Sequence, residues 1–231
     1  MSPRKTTPNE RIQQIESLIQ EATPAATLRL LELTEDSVAR VRLAAMHALP
    51  ENLCRLAARA RIQDSSSLVR DEAASLLGEL GDRSDIGRLA VALKDREWTV
   101  RSAAADSLGS IGGQSAVTAL RFALESEKNR VVLRDITTAL GRTGDKSAIP
   151  ALRQTVTKAK DRTVLIAVML ALYKLGEKDM LPRAFDTLAA STDSLLPEVV
   201  TNLVQWIGVD AEDEEYVTAR LEPFRSRAPD V

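Results

Sequence analysis

Side chains able to do covalent or metal chemistry are scarce in this chain. Its 231 residues include one histidine, His47, and one cysteine, Cys54. A thiol becomes a nucleophile when a neighbouring base or positive field stabilises its thiolate, and His47 is the one imidazole that could serve. Cys54 falls early in an Ala- and Leu-rich stretch, which predicts a buried, inert thiol. His47 lies on the polar side of its own segment, which predicts a solvated ring. The histidine count excludes a multi-histidine metal centre, and a lone cysteine excludes an intramolecular disulfide. No Gly-x-Ser-x-Gly elbow, phosphate-binding loop or dinucleotide fingerprint is present. The Gly-rich run Gly109-Ser110-Ile111-Gly112-Gly113 reads as packing and helix capping. No catalytic residue, metal ligand or cofactor is therefore expected.

Charge narrows the remaining classes. Lys and Arg number 31 against 33 Asp and Glu, a formal net charge of -2, so no global attraction draws the chain to nucleic acid or anionic membrane. The first residues carry Arg4, Lys5 and two prolines without an apolar core, so no secretory signal is expected. No run approaches the roughly 20 apolar residues of a membrane span. A cytoplasmic protein that works by surface recognition is the expectation.

The elements that would build such a surface repeat. Gly81, Gly112, Gly144, Gly176 and Gly208 follow one another at steps of 31, 32, 32 and 32 residues. A period in this range marks stacked supersecondary units, none of which can bury its apolar face alone. Twelve residues before these glycines stand Val69, Val100, Val132, Val164 and Leu196. Eight before stand Ala73, Ala104, Ile136, Val168 and Val200; four before stand Leu77, Leu108, Leu140, Leu172 and Val204. That spacing is one stripe of an α-helix. The terminal glycine sits where a left-handed C-cap is wanted, and Gly78, Gly109 and Gly141, mid-helix at one register, predict close helix contact. A first helix precedes each second one, over 85–94, 115–125, 147–158 and 180–190, with Ser115 and Ser147 as expected N-caps. An earlier unit spans 24–49 and another first helix 51–62. Capping helices are expected at 9–20 and 211–221.

The phrases themselves resemble a known repeat. Residues 64–82 read D-x-x-x-x-V-R-x-x-A-A-x-L-L-G-x-L-G-D, and 95–112 read D-x-x-x-x-V-R-x-A-A-A-x-x-L-G-x-I-G. They closely resemble the HEAT-like repeats first associated with phycobilisome lyases. The resemblance implies an all-α, right-handed α–α superhelical solenoid of about six helical hairpins, one domain over 9–224, with tails at 1–8 and 225–231. It also implies a structural ladder between Asp64, Asp95, Arg42, Arg70 and Arg101. Leu133, Leu165 and Pro197 take the arginine position later, so the ladder is absent or remodelled there.

In such repeats the second helices line the concave side, and their outward positions lie ten, six and two residues before the terminal glycine. The stripe starts acidic and small (Asp71, Ser75, Glu79; Ser102, Asp106, Ser110). It turns basic at Arg134, Thr138 and Arg142, and apolar at Ile166 and Leu170 beside Lys174, with Trp206 at its end. Exposed apolar surface bordered by charge marks a protein-binding patch. The competing reading buries Ile166 and Leu170 under a returning C-terminal helix. Trp98, in a turn, is a further anchor at the edge, or else covers a seam between repeats. The expected function is a non-enzymatic protein-interaction scaffold or adaptor that binds another protein through Arg134, Arg142, Ile166, Leu170, Lys174, Trp206 and Trp98. A bilin lyase or bilin-handling subunit and a DNA-binding protein of the alkylpurine DNA glycosylase type are the alternatives; the second is opposed by an acidic face.

Overall fold

The chain is all-α. The structure, a computed structural model, describes residues 6–191 and 196–225, except the side chains of Pro197, Trp206 and Arg225. Among the described residues there are no strands and 14 α-helices. An N-terminal capping helix, α1 (Pro8–Glu21), is followed by hairpins of a first and a second helix. These are α2 (Pro24–Leu33) with α3 (Ala39–Ala48), α4 (Glu51–Arg61) with α5 (Ser67–Leu80), and α6 (Ile86–Ala92) with α7 (Trp98–Ile111). Next come α8 (Gln114–Ser126) with α9 (Arg130–Arg142), α10 (Ile149–Lys158) with α11 (Arg162–Lys174), and α12 (Met180–Ala189) with α13 (Leu196–Ile207). Helix α14 (Glu214–Arg225) closes the described chain. Two compact units divide the chain, Met1–Ser107 and Leu108–Val231.

The periodic residues make the core. Val69, Val100, Val132, Leu77, Leu108, Leu140 and Leu172 are all fully buried, as are Ala73, Ala104, Ile136 and Val168. Burying a side chain such as Leu or Val contributes about 1.5–3 kcal/mol, so this stripe, repeated in each second helix, supplies much of the driving force for stacking. The mid-helix glycines set how close the stack becomes. A Cβ at Gly78 would stand 2.7 Å from the Ser107 Cβ, at Gly109 2.8 Å from the Ala139 Cα, and at Gly141 2.9 Å from the Ala171 Cα. Within the first unit Ser107 Oγ also donates to the Ala74 carbonyl at 2.9 Å, which satisfies a buried hydroxyl.

Helix ends follow the expected logic in part. Gly112, Gly144, Gly176 and Gly208 have φ of 65–107°, a region that favours glycine. Gly81 is extended instead, at φ -79° and ψ 177°. Ser115 lies inside the first turn of α8 behind Gly113, and Ser147 lies inside a 3₁₀ turn whose cap is Asp145, accepting from the Ser147 N–H. A 3₁₀ turn leads into α6 and α10, which shortens both relative to the expected spans.

In the first unit the ladder is present. Arg42 donates to the Asp36 carbonyl and pairs with Asp64; Arg70 donates to the Asp64 carbonyl and, at 2.6 and 2.8 Å, to both oxygens of Asp95. Each guanidinium thus ties its own turn to the next. Arg101 repeats the first half of the pattern with the Asp95 carbonyl. In the second unit the arginine moves to the first position of its helix. Arg130 faces Asp161 at 3.5 Å, and Arg162 reaches the Ala190 carbonyl at 3.3 Å.

Candidate protein-binding face

The reactive side chains are spent. Cys54 is buried in α4, and burial, with Glu72 and Glu79 adding to it, pushes its thiol above the usual range. That is the reverse of nucleophile activation. The His47 ring is exposed and faces Glu72 at 3.0 Å. Among the described residues, the oxygens of Asp210, Glu212 and Asp213 lie within 4.8 Å of one another. The Lys178 ammonium already sits among all three, at 2.5–3.3 Å, and over the Tyr173 ring.

The outward stripe of the second unit divides into a buried part, two fasteners and a groove. Ile166 and Leu170 are 0% and 1% exposed, so neither side chain is on the surface. Helix α13 packs against both α11 and α9, and the matching face of α9 is closed as well, with Asp135 and Thr138 buried. The sequence of α11 suits this: Ile166 and Leu170 give the helices packed on it apolar area to bury. Tyr173 stands where the earlier second helices have a packing glycine. Its buried side chain runs to the turn after α13, where the hydroxyl donates to Asp213 and accepts from the Asp210 N–H.

Arg142 and Lys174 tie neighbouring repeats together within the second unit. Arg142 donates to Ser110 Oγ at 2.6 Å, and the Lys174 ammonium donates to the Gly208 carbonyl at 3.1 Å and faces Asp210 at 3.6 Å. A cation beside the last carbonyls of α13 is favourable to its dipole.

Arg134 is placed differently. It pairs with the buried Asp135 at 2.9 Å and lines two adjoining cavities, of about 170 and 210 Å³. Both are walled by Val199 of α13; Val131 and Leu196 line the first, Asn202 and Leu203 the second. Arg130, Asp161 and Thr163 complete the first cavity, so Arg134 lies half-buried in a groove of mixed apolar and charged lining between α9 and α13. Asn202, six residues before Gly208 on the same stripe, is exposed at its rim. The Trp206 side chain lies outside the described residues.

Trp98 opens α7 and is 45% exposed. Leu68, in the first turn of the neighbouring α5, is also exposed, and its position between the buried registers is the one sequence signal for it. Exposed apolar residues on the first helices (Leu28, Leu56, Val91 and Phe122) escape any reading confined to the second helices. The second-helix face of the first unit keeps the acidic character seen in sequence. Burial, and then Glu72, raises the Asp71 carboxyl above its ordinary value.

The comparisons agree on the fold. A family model described as HEAT repeats matches residues 56–140 and again 123–206. No curated protein matches the sequence. The complex of CpcE and CpcF of phycocyanin lyase from Nostoc sp. PCC7120 superposes with a TM-score of 0.55 at 20% identity, covering 87% of this chain and 94% of that chain. A homology model of the full-length AP-3 complex in an intermediate open conformation gives 0.65 at 12% identity, covering 96% of this chain and 46% of that one. At these identities the likeness is one of fold. No helix among the described residues is long and apolar enough to cross a membrane. Repeats matched over most of the length, with the glycine-spaced hairpins that carry them, place this chain in the HEAT-repeat family.

Proposed function

We propose that this chain is a non-enzymatic scaffold that holds a partner protein in the groove between α9 and α13. The observation that carries the reading is Arg134, half-buried and paired with Asp135, lining two adjoining cavities where Val131, Leu196, Val199 and Leu203 are mixed with Arg130, Asp161, Thr163 and Asn202. An arginine held in a cleft that offers both apolar area and polar groups is a common centre of protein-binding hot spots. Asn202 at the rim and Leu203 in the wall supply a hydrogen-bonding group and apolar area. Arg142 and Lys174 act through the fold by holding this face in shape, and Trp98 is a separate anchor in the first unit.

The likeness to CpcE and CpcF, and to AP-3, supports a role in an assembly with other proteins, because both are complexes. A bilin-handling role draws on the first likeness alone. A covalent intermediate on this chain's one cysteine would need an activated thiolate, and Cys54 is buried with its thiol pushed above the usual range.

The test is a photo-crosslinking amino acid placed at Asn202, with Thr118 on the exposed face of α8 as the control position. The reading expects one defined protein adduct from Asn202 in native lysate and none from Thr118. Adducts that form equally from both positions, or from neither, would remove the groove as the partner site and direct attention to bilin and nucleic-acid binding.

A further inference from the structure

A second recognition surface lies in the first unit, on the edge formed by the turns between first and second helices. Ile62 at the end of α4 and Val91 and Ala92 of α6 wall a depression of about 390 Å³. Its floor holds Asp64, Asp95 and Arg70, and these charges are already matched. Asp64 pairs with Arg42, and both oxygens of Asp95 accept from Arg70. The rim is unbalanced. Arg88 and Arg96 stand on it with side chains 47% and 77% exposed. Among the described residues, the carboxylate near Arg88 is Asp85 at 3.7 Å, and the one near Arg96 is Glu97 at 4.0 Å. Both distances are longer than a charge-assisted hydrogen bond. Asp85 in turn is taken at 2.6 Å by Arg59.

The arginines are not a requirement of the repeat. A corresponding depression of about 210 Å³ in the second unit runs between the end of α8 and α10. Its charged walls are Glu125, Glu127 and Lys158. Counted from the starts of the first helices, Ile86 of α6 and Ile149 of α10, the residues matching Arg88 and Arg96 are Ala151 and Ala159, and both line that depression. The helix hairpin is built without two arginines there, so their presence in the first unit answers to something outside the fold.

We infer that this depression docks a peptide segment of a partner protein that carries an acidic residue beside an apolar one. The apolar side chain enters between Ile62 and Val91, and the carboxylate is taken by Arg88 and Arg96. Charge complementarity selects the occupant. The carboxylates of the site are neutralised from within, so the unmatched charge is positive, and guanidinium with carboxylate gives a two-point, directional contact. A basic segment meets two like charges at the rim, and a purely apolar one leaves them unused. This inference is independent of the α9–α13 groove.

The experiment is selection from a displayed library of random dodecapeptides on the immobilised full chain, followed by fluorescence anisotropy with the recovered sequences. The expected result is enrichment of Asp or Glu next to Leu, Ile, Val or Phe, with binding that weakens as salt is added. Exchanging Arg88→Gln and Arg96→Gln together should lower affinity about tenfold, the scale of two exposed arginine–carboxylate contacts. Arg134→Gln should leave that affinity within about twofold, because Arg134 does not line this depression. The neutral exchange avoids placing a new carboxylate beside Asp85, and a Val91→Trp variant, which fills the depression from an exposed position without changing its charge, is the second probe and should also weaken binding. Enrichment of basic or purely apolar peptides, no enrichment, or binding that both variants leave unchanged would overturn the inference.

Discussion

Gly109→Ala and Gly87→Ala are the same chemical change at two helix positions, and their effects should have opposite signs. At Gly109 a Cβ would stand 2.8 Å from both the Cα and the Cβ of Ala139, where carbon atoms prefer about 3.5–4.0 Å. The obstacle is the backbone of α9, so no rotamer change relieves it and the two helices must separate. Overpacking of this kind costs about 1–3 kcal/mol, and with the backbone in the way the upper half of that range applies. Replacing glycine within a helix returns up to about 1 kcal/mol. The net expectation is a loss of about 1–2 kcal/mol. At Gly87, in α6, a Cβ meets nothing within 4 Å, so the propensity term acts alone and stability rises by up to about 1 kcal/mol. Urea denaturation followed by far-UV circular dichroism reads both, with the midpoint falling for the first and rising for the second. If Gly109→Ala raises the midpoint as Gly87→Ala does, close second-helix packing is not what the repeated glycine is for.

Other consequences follow from the same geometry. Arg70→Met should cost about 3 kcal/mol, because it strands the nearly buried Asp95 that Arg70 holds. The Arg70 hydrogen bonds keep the Asp95 carboxyl below its ordinary range when folded. Its contribution is therefore present above the unfolded pKa and disappears as pH falls below about 4. Acid titration of stability should show a shallower loss in Arg70→Met than in the parent chain. Cys54 should resist thiol reagents at mildly alkaline pH in the native chain and react fully in denaturant, since burial holds it protonated. Tyr173→Phe removes the hydroxyl that joins α11 to Asp213 and to the Asp210 N–H. About 1–2 kcal/mol should be lost, with hydrogen exchange speeding up at 210–225 before the rest of the second unit.

What could be read from sequence was whatever a single helix and its copy decide. Val69, Leu77 and their equivalents are buried because a 3.6-residue period and a 32-residue repeat each place them on a stacking face. Gly78, Gly109 and Gly141 were legible because three copies at one register rarely have separate causes. The Asp64, Arg70 and Asp95 ladder was legible through the resemblance to HEAT-like repeats, which implies it. Positions set by distant chain were not. Ile166 and Leu170 point outward on α11 counted by itself, and become interior in a stack where α9, α12 and α13 all pack against α11. Arg142 and Lys174 keep the expected register, but Ser110 and Gly208, which they hold, lie a whole repeat away. Arg130 and Arg162 continue the ladder from a shifted position that alignment on the Val-Arg phrase passes over. Ser115 and Ser147 looked like caps until Gly113 and Asp145 took that role, since a 3₁₀ turn or a positive φ moves a helix start by one or two residues.

The central claim, that a partner protein is held in the groove around Arg134, is tested most directly by affinity. Binding of the crosslinked partner, once identified, would be measured by titration calorimetry against the parent chain, Arg134→Gln, Asn202→Trp and the control Thr118→Glu. Circular dichroism would confirm that each is folded. The account predicts that Arg134→Gln and Asn202→Trp each weaken binding at least about tenfold, the loss of one well-buried contact, while Thr118→Glu binds as the parent does. Equal affinity across all four proteins would contradict it.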